Sequence, residues 1–189
     1  MRLLIASDIH GSATWCARLM DAIEAESPDR VVLLGDLLYH GPRNDLPEGY
    51  APKQVIPMLN GIADRIVCCR GNCEAEVDQM VLDFPCMSDY SVVWDPDEEG
   101  GRELFCTHGH VFGPGLHNSI DNMPPLPAGS ALLYGHTHIK VDDELPLGTD
   151  DAKVHVFNPG SVSIPKDGTH SYGMYEDGAF RHVVMEPEV

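Results

Sequence analysis

Five short apolar runs, each ending in a carboxylate, an amide or an imidazole, constrain this chain more than any other feature of its sequence. Arg2 to Ala6 leads to Asp8 and His10, Val31 to Leu34 to Gly35-Asp36, and Ile66 to Cys69 to Gly71-Asn72. Glu103 to Cys106 leads to His108, and Ala131 to Tyr134 to Gly135-His136-Thr137-His138. If these runs are strands, the polar groups leave them at their carboxyl ends, where open α/β sheets place their sites. A lone His-x-His pair carries little weight, because surface histidines occur at any spacing. Hard oxygen and imidazole groups at the same end of five runs are difficult to obtain by chance.

The order of elements points to the same architecture. After the first run Ser12 can cap a helix reaching about Glu26, with Trp15, Leu19 and Ile23 as its inner stripe. A long polar loop from His40 to Tyr50 follows the second run, and Pro52 can open a helix bearing Val55, Ile56, Leu59, Ile62 and Ala63 at helical spacing. A further helix is expected from Ala75 to Leu82. This βαβαβα order implies a parallel sheet with right-handed crossovers. Tyr90 to Trp94 and Glu103 to Cys106 read as a hairpin across the acidic turn Asp95 to Gly101. A short helix is expected near Leu116 to Asp121. Val154 to Phe157, Ser171 to Tyr175 and Phe180 to Met185 read as a closing antiparallel meander, with Asn158-Pro159-Gly160-Ser161 as a turn.

At 189 residues the chain fits one domain, able to bury roughly 70% of its unfolded surface. Its 12 basic and 30 acidic residues give a formal charge of −18, with no basic stripe for nucleic-acid phosphates. That field slows polyanions and favours a small substrate or a locally positive, metal-bearing site. Only four residues are lysine, a composition that could also reflect a high-salt host. The six cysteines form no Cys-x-x-Cys pair and mostly lie in apolar runs, so they read as reduced core thiols in a cytoplasmic protein. Asp8 interrupts the first apolar run far short of a signal peptide or a span of the membrane.

The donors suffice for two adjacent divalent cations. Asp8, His10, Asp36 and His138 can hold one ion, and Asn72, His108 and His136 the other, with Asp36 reaching both. A bridging carboxylate suits ions about 3.5–4 Å apart, and such a pair lowers the pKa of a shared water to give hydroxide for in-line attack on phosphorus. Mixed imidazole and carboxylate donors fit Mn, Fe, Zn, Co or Ni better than Ca.

Asp8-x-His10, Gly35-Asp36, Gly71-Asn72-x-Glu74, His108 and Gly135-His136-x-His138 resemble the five ordered motifs of the calcineurin-like metallophosphoesterases. Within them the chain is most similar to the bacterial YfcE-type phosphodiesterases, through Gly71-Asn72-Cys73-Glu74, the His40 to Pro52 loop and Asn158 to Pro165. The likeness runs from Met1 to about Tyr175. It implies a four-layer αββα sandwich, a dinuclear site usually served by Mn²⁺, hydrolysis of small phosphodiesters, and a homo-oligomer. Asn72, Cys73 and His108 are then the catalytic candidates, with Cys73 either acting there or merely packing, and His40, Arg43 and Asn44 either contact the substrate from the long loop or order that loop or an interface. Many members of the superfamily carry histidine where this chain has Cys73, and that imidazole contacts the phosphate or protonates the leaving oxygen. A thiol is a poorer donor to an alkoxide, so aryl esters should be preferred over alkyl esters. His110 stands on the site wall or in solvent, Glu74 and Asn158 either orient site residues or serve local structure, and His117, His155, His170 and His182 read as ordinary. Two rival readings share the fold: a protein-binding scaffold like the related retromer subunit, and a phosphomonoesterase.

Overall fold

The computed structural model describes residues 1–96, 100–148 and 151–186. Leu3 to Ala6 are fully buried, as suits a strand covered on both faces, and form β1 (Arg2–Ala6). The Ser12 hydroxyl accepts the Trp15 N–H at 3.2 Å and caps α1 (Ala13–Glu26), whose Trp15, Leu19 and Ile23 are buried. After β2 (Arg30–Leu33), α2 (Pro52–Asn60) starts at its proline, and a short 3-10 turn precedes β3 (Ile66–Cys68). β1 pairs in parallel with β2, and β2 with β3, as the alternating order requires. α3 is only Glu76–Gln79, shorter than its apolar pattern implied. The Gln79 side chain instead holds an irregular turn, bonding the Leu82 and Phe84 carbonyls and the Cys86 N–H.

The second half opens with the expected hairpin, β4 (Tyr90–Asp95) against β5 (Arg102–Thr107); residues 97–99 of its acidic turn lie outside the described residues. β6 (Gly113–Pro114) and β7 (Asp121–Asn122) make a small ribbon. The helix expected at Leu116 to Asp121 does not form, because His117 and Asn118 take left-handed backbones (φ 50° and 72°) that no right-handed helix contains. β8 (Ala131–Leu133), β9 (Val141–Pro146), β10 (Lys153–Asn158), β11 (Ser171–Glu176) and β12 (Ala179–Val184) complete the fold.

These strands form two five-stranded sheets, ordered β12-β11-β1-β2-β3 and β4-β5-β8-β10-β9. The anticipated closing meander is therefore divided. β10 pairs in parallel with β8, whereas the β11–β12 hairpin adds antiparallel to β1. Leu3, Ile5, Val32 and Leu34 face Leu104, Cys106, Leu133 and Phe157 between the sheets. α1 and α2 cover the other face of the first sheet through Trp15, Leu19, Val55 and Leu59. Outside the second sheet, Phe105, Leu132 and Val156 lie under Phe112, Leu116 and Leu126 of the segment 108–130. The two-sheet α/β sandwich is thus the one the resemblance implies, with irregular chain forming its last layer among the described residues.

Candidate metal centre

The carboxyl ends of β1, β2, β3, β5 and β8 deliver Asp8 and His10, Asp36, Asn72, His108, and His136 and His138 to one place, as their spacing predicted. Asp8, His10, Asp36, His136 and His138 all have φ between 47° and 68°. Such a conformation costs an L-residue roughly 1–2 kcal/mol, and strain of this kind persists where the surroundings over-determine it, commonly at sites. Here backbone bonds cross between the turns: Asp8 N–H to Gly35 O at 3.1 Å, His10 N–H to Asp36 O at 2.9 Å, and Gly135 N–H to His108 O at 2.9 Å.

Three imidazoles are oriented identically. His10, His108 and His138 pair Nδ1 with the carbonyls of Tyr39, Leu34 and Ile164 at 2.8, 2.6 and 2.6 Å. Nδ1 must therefore carry a proton, and each ring, when neutral, turns the lone pair of Nε2 inward. There Nε2 of His138 and of His10 lie 3.2 and 3.5 Å from Asp8 Oδ1, and 3.3 Å from each other. Asp36 Oδ2 is 3.6 Å from His10 Nε2 and 3.4 Å from His108 Nε2, which lies 3.3 Å from Asn72 Oδ1. Acceptors facing acceptors at these distances require a proton or a cation between them, and Asp8 Oδ1 is buried with no hydrogen-bond partner. The donor atoms of Asp8, His10 and His138, and those of Asp8, Asp36 and His108, lie within 4.8 Å of one another, with Asp8 common to both groups. The residues present fit a pair of divalent ions.

Electrostatics among the side chains themselves agree. Burial opposes charge on Asp8, Asp36 and His108, but it is outweighed by the attraction of His138 and His10 on Asp8 and by that between Asp36 and His108. Asp8 is held well below the usual carboxylate range, Asp36 falls to about 2, and His108 rises to about 10. His136 and His110 go the other way, to about 4, because burial and the neighbouring His108 charge disfavour protonation. His136 is half-buried with its ring 5.1 Å from that of His108, and its N–H donates to Asp8 Oδ2 at 3.1 Å. His110 stands at the wall, 5.4 Å from the His108 ring.

Glu74, Asn158, Ser161 and Ser163 hold the donors from behind. Glu74 accepts the N–H groups of Asp36 and Gly71 on Oε2 and of Leu37 on Oε1, tying the turns after β2 and β3 together. Asn158 donates to Gly135 O at 2.9 Å and Thr137 Oγ1 at 3.1 Å, fixing the His136–His138 turn. The hydroxyls of Ser161 and Ser163 also donate to the Asp8 carbonyl, a strap that sequence reasoning missed. Cys73 donates its backbone N–H to Asp36 Oδ1 at 2.8 Å, and its half-buried Sγ accepts from Asn72 Nδ2 at 3.2 Å.

The centre opens into a cavity of about 410 Å³ walled by Asp36, Asn72, His136 and His138, with Arg43 and Asn44 from the long loop. Thr137, His117, Asn118 and Lys166 also line it. His117, ordinary by its sequence, thus lines this cavity, and neither it nor Lys166 has a motif that marks it in sequence. His40 is not on this wall. Its ring packs edge-on to Tyr39 and Tyr50, while its carbonyl accepts from Asn44 Nδ2 at 2.8 Å. His155 pairs with Asp142, His170 stacks on Trp15, and His182 bonds the Asn158 carbonyl, so these three are structural.

A two-sheet sandwich with carboxylate and imidazole donors at its strand ends defines a metallophosphoesterase core. The calcineurin-like phosphoesterase superfamily domain matches residues 1–177, and the chain belongs to that superfamily. It is 42% identical over 189 residues to phosphodiesterase YfcE of Escherichia coli K12, covering all of this chain and 94% of that protein. The solved structure of E. coli YfcE, described as a phosphoesterase, superposes with a TM-score of 0.84 at 40% identity over 98% of this chain and 100% of that one. Chaetomium thermophilum Vps29 shares the fold at 13% identity, with a TM-score of 0.53 over 97% and 94% of the chains.

Proposed function

We propose that this chain is a dinuclear metal-dependent phosphodiesterase that hydrolyses small phosphodiesters, with residues 1–189 forming one catalytic domain. The observation that carries this reading is the convergence of three Nδ1-anchored imidazoles on two buried carboxylates. Asp8, His10, Asp36 and His138 would hold one ion, and Asn72, His108, His136 and Asp36 the other, with Mn²⁺ the ion that the family resemblance implies and one that the mixed oxygen and nitrogen set accepts. When bound, such a pair supplies Lewis acidity and activates water.

The chain's own groups do the rest. Arg43, which faces the cavity, offers a forked donor to the non-bridging phosphoryl oxygens, assisted by Asn44. Burial, then the Asp36 charge, push the Cys73 thiol far above its ordinary value, so it stays protonated and is a weak acid toward a leaving alkoxide. Cys73 also lines an apolar groove with Tyr39, Tyr50, Ile56, Val77 and Val81, which suits an aryl leaving arm. The full donor set argues against a scaffold role. The six free thiols fit a reducing cytoplasm, and no helix among the described residues is long and apolar enough to cross a membrane. Homo-oligomerisation, inferred from the family resemblance, is checked by light scattering.

Purified protein with Mn²⁺, assayed on bis-p-nitrophenyl phosphate beside Asp36→Asn, tests the reading. Metal-dependent turnover lost in the variant supports it. Faster turnover of p-nitrophenyl phosphate would favour a phosphomonoesterase, and no turnover of either would favour the scaffold.

A further inference from the structure

The wall of the metal cavity departs from the charge balance of the rest of the molecule. The chain has 30 acidic and 12 basic residues, yet among the residues lining this cavity Asp36 is the only carboxylate, and Arg43 and Lys166 are both present. Most of the basic side chains are already engaged: Arg2 and Arg181 with Glu26, Arg70 with Asp89, Lys140 with Asp167 and Lys153 with Glu144. Arg30, Arg65 and Arg102 donate to backbone carbonyls, and Arg18 also has a partner. Among the lysines and arginines of the described residues, only Arg43, Lys53 and Lys166 have no hydrogen-bond or ion-pair partner for the charged group, and two of these three stand on one cavity.

Lys166 is held there by its backbone, whose N–H donates to the His138 carbonyl at 2.9 Å. Its chain neighbour Asp167 does not neutralise it, because Asp167 Oδ2 takes both the N–H and the ammonium of Lys140 at 2.8 Å. His117 and Asn118, both in left-handed conformations, line the same cavity with side chains able to donate hydrogen bonds. A phosphodiester carries one negative charge, which the ions and Arg43 already answer. The additional cation and donors exceed what that anion uses.

We propose that Lys166, His117 and Asn118 form a second anion subsite, so that the substrate is a small phosphodiester whose retained ester arm bears a further carboxylate or phosphate. This inference rests on the phosphodiesterase reading above. Lys166 acts as a specificity-determining residue through KM.

The test uses three p-nitrophenyl alkyl phosphodiesters whose alkyl arm ends in a methyl ester, a carboxylate or a phosphate, all releasing p-nitrophenolate. With the Mn²⁺-loaded wild type, kcat/KM should favour at least one charged arm over the neutral one by about fivefold, the upper range for a solvent-exposed ion pair. The gain should lie in KM and shrink as salt is added. Lys166→Gln should bring the ratio close to one, and Lys166→Arg should restore most of it. A gain for the carboxylate, the phosphate or both names the anion recognised. No preference in the wild type, or a preference that survives Lys166→Gln, would overturn the subsite while leaving the hydrolase reading intact. Failure to hydrolyse any of the three esters would remove both.

Discussion

Replacing Glu74 with alanine removes one carboxylate that satisfies three backbone N–H groups, those of Asp36, Leu37 and Gly71. Each N–H left unpaired in a buried site costs about 1–3 kcal/mol. An opposing effect comes from charge, because burial and then the nearby Asp36 raise the Glu74 pKa, so deletion also relieves repulsion. The net loss should fall near the lower end, about 3–4 kcal/mol, which lowers Tm by roughly 6–16 °C for a domain of this size. Asp36 loses the clamp on its own N–H, so Mn²⁺ affinity should fall about 10- to 100-fold, as for loss of other groups that orient metal ligands. Glu74→Gln separates the two effects: it removes the charge but sets an amide NH₂ against at least one of the N–H donors. Thermal unfolding by circular dichroism and Mn²⁺ titration calorimetry read the outcome. A Glu74→Ala protein melting within about 2 °C of wild type with the same Mn²⁺ affinity would refute the clamp.

Gly135→Ala should weaken Mn²⁺ binding more than tenfold, since its Cβ would overlap the buried Ser7 hydroxyl and stand 3.0 Å from Asp8 Oδ2; calorimetry checks it. In the metal-free protein the raised His108 pKa contributes stability that is whole below its ordinary 6.5 and is lost as pH rises through about 10. Metal-free protein should therefore melt lower near pH 10.5 than near pH 7, and the charged imidazole must shed its proton when metal binds. Mn²⁺ loading near neutral pH should thus release protons, which titrations in buffers of different ionisation enthalpy detect. Cys73→His should raise turnover of alkyl phosphodiesters relative to aryl ones, and equal relative rates in both proteins would discount a role for the thiol.

The donors were legible in the sequence because each follows an apolar run, so strand patterning fixed both their element and the end at which they sit. The first sheet's β1-β2-β3 order was readable for the same reason, since local βαβ units admit few topologies. β9 escaped notice because Val-Asp-Asp-Glu-Leu-Pro is an edge strand with a solvated middle and lacks an apolar run. The separation of β10 from β11 depends on Phe157 packing between the sheets, a partnership between distant segments that periodicity does not encode. The same limit hid Ser161 and Ser163, whose target is the backbone of a residue about 150 positions away. Lys166 and His117 enter the cavity from loops, and His40 leaves it because two tyrosines hold its ring.

The most direct measurement is anomalous scattering from crystals grown with Mn²⁺. Two peaks per chain should appear, one bounded by Asp8, His10 and His138 and one by Asn72, His108 and His136, with Asp36 between them. A single peak would contradict the dinuclear assignment, and none at these side chains would contradict the metal centre itself.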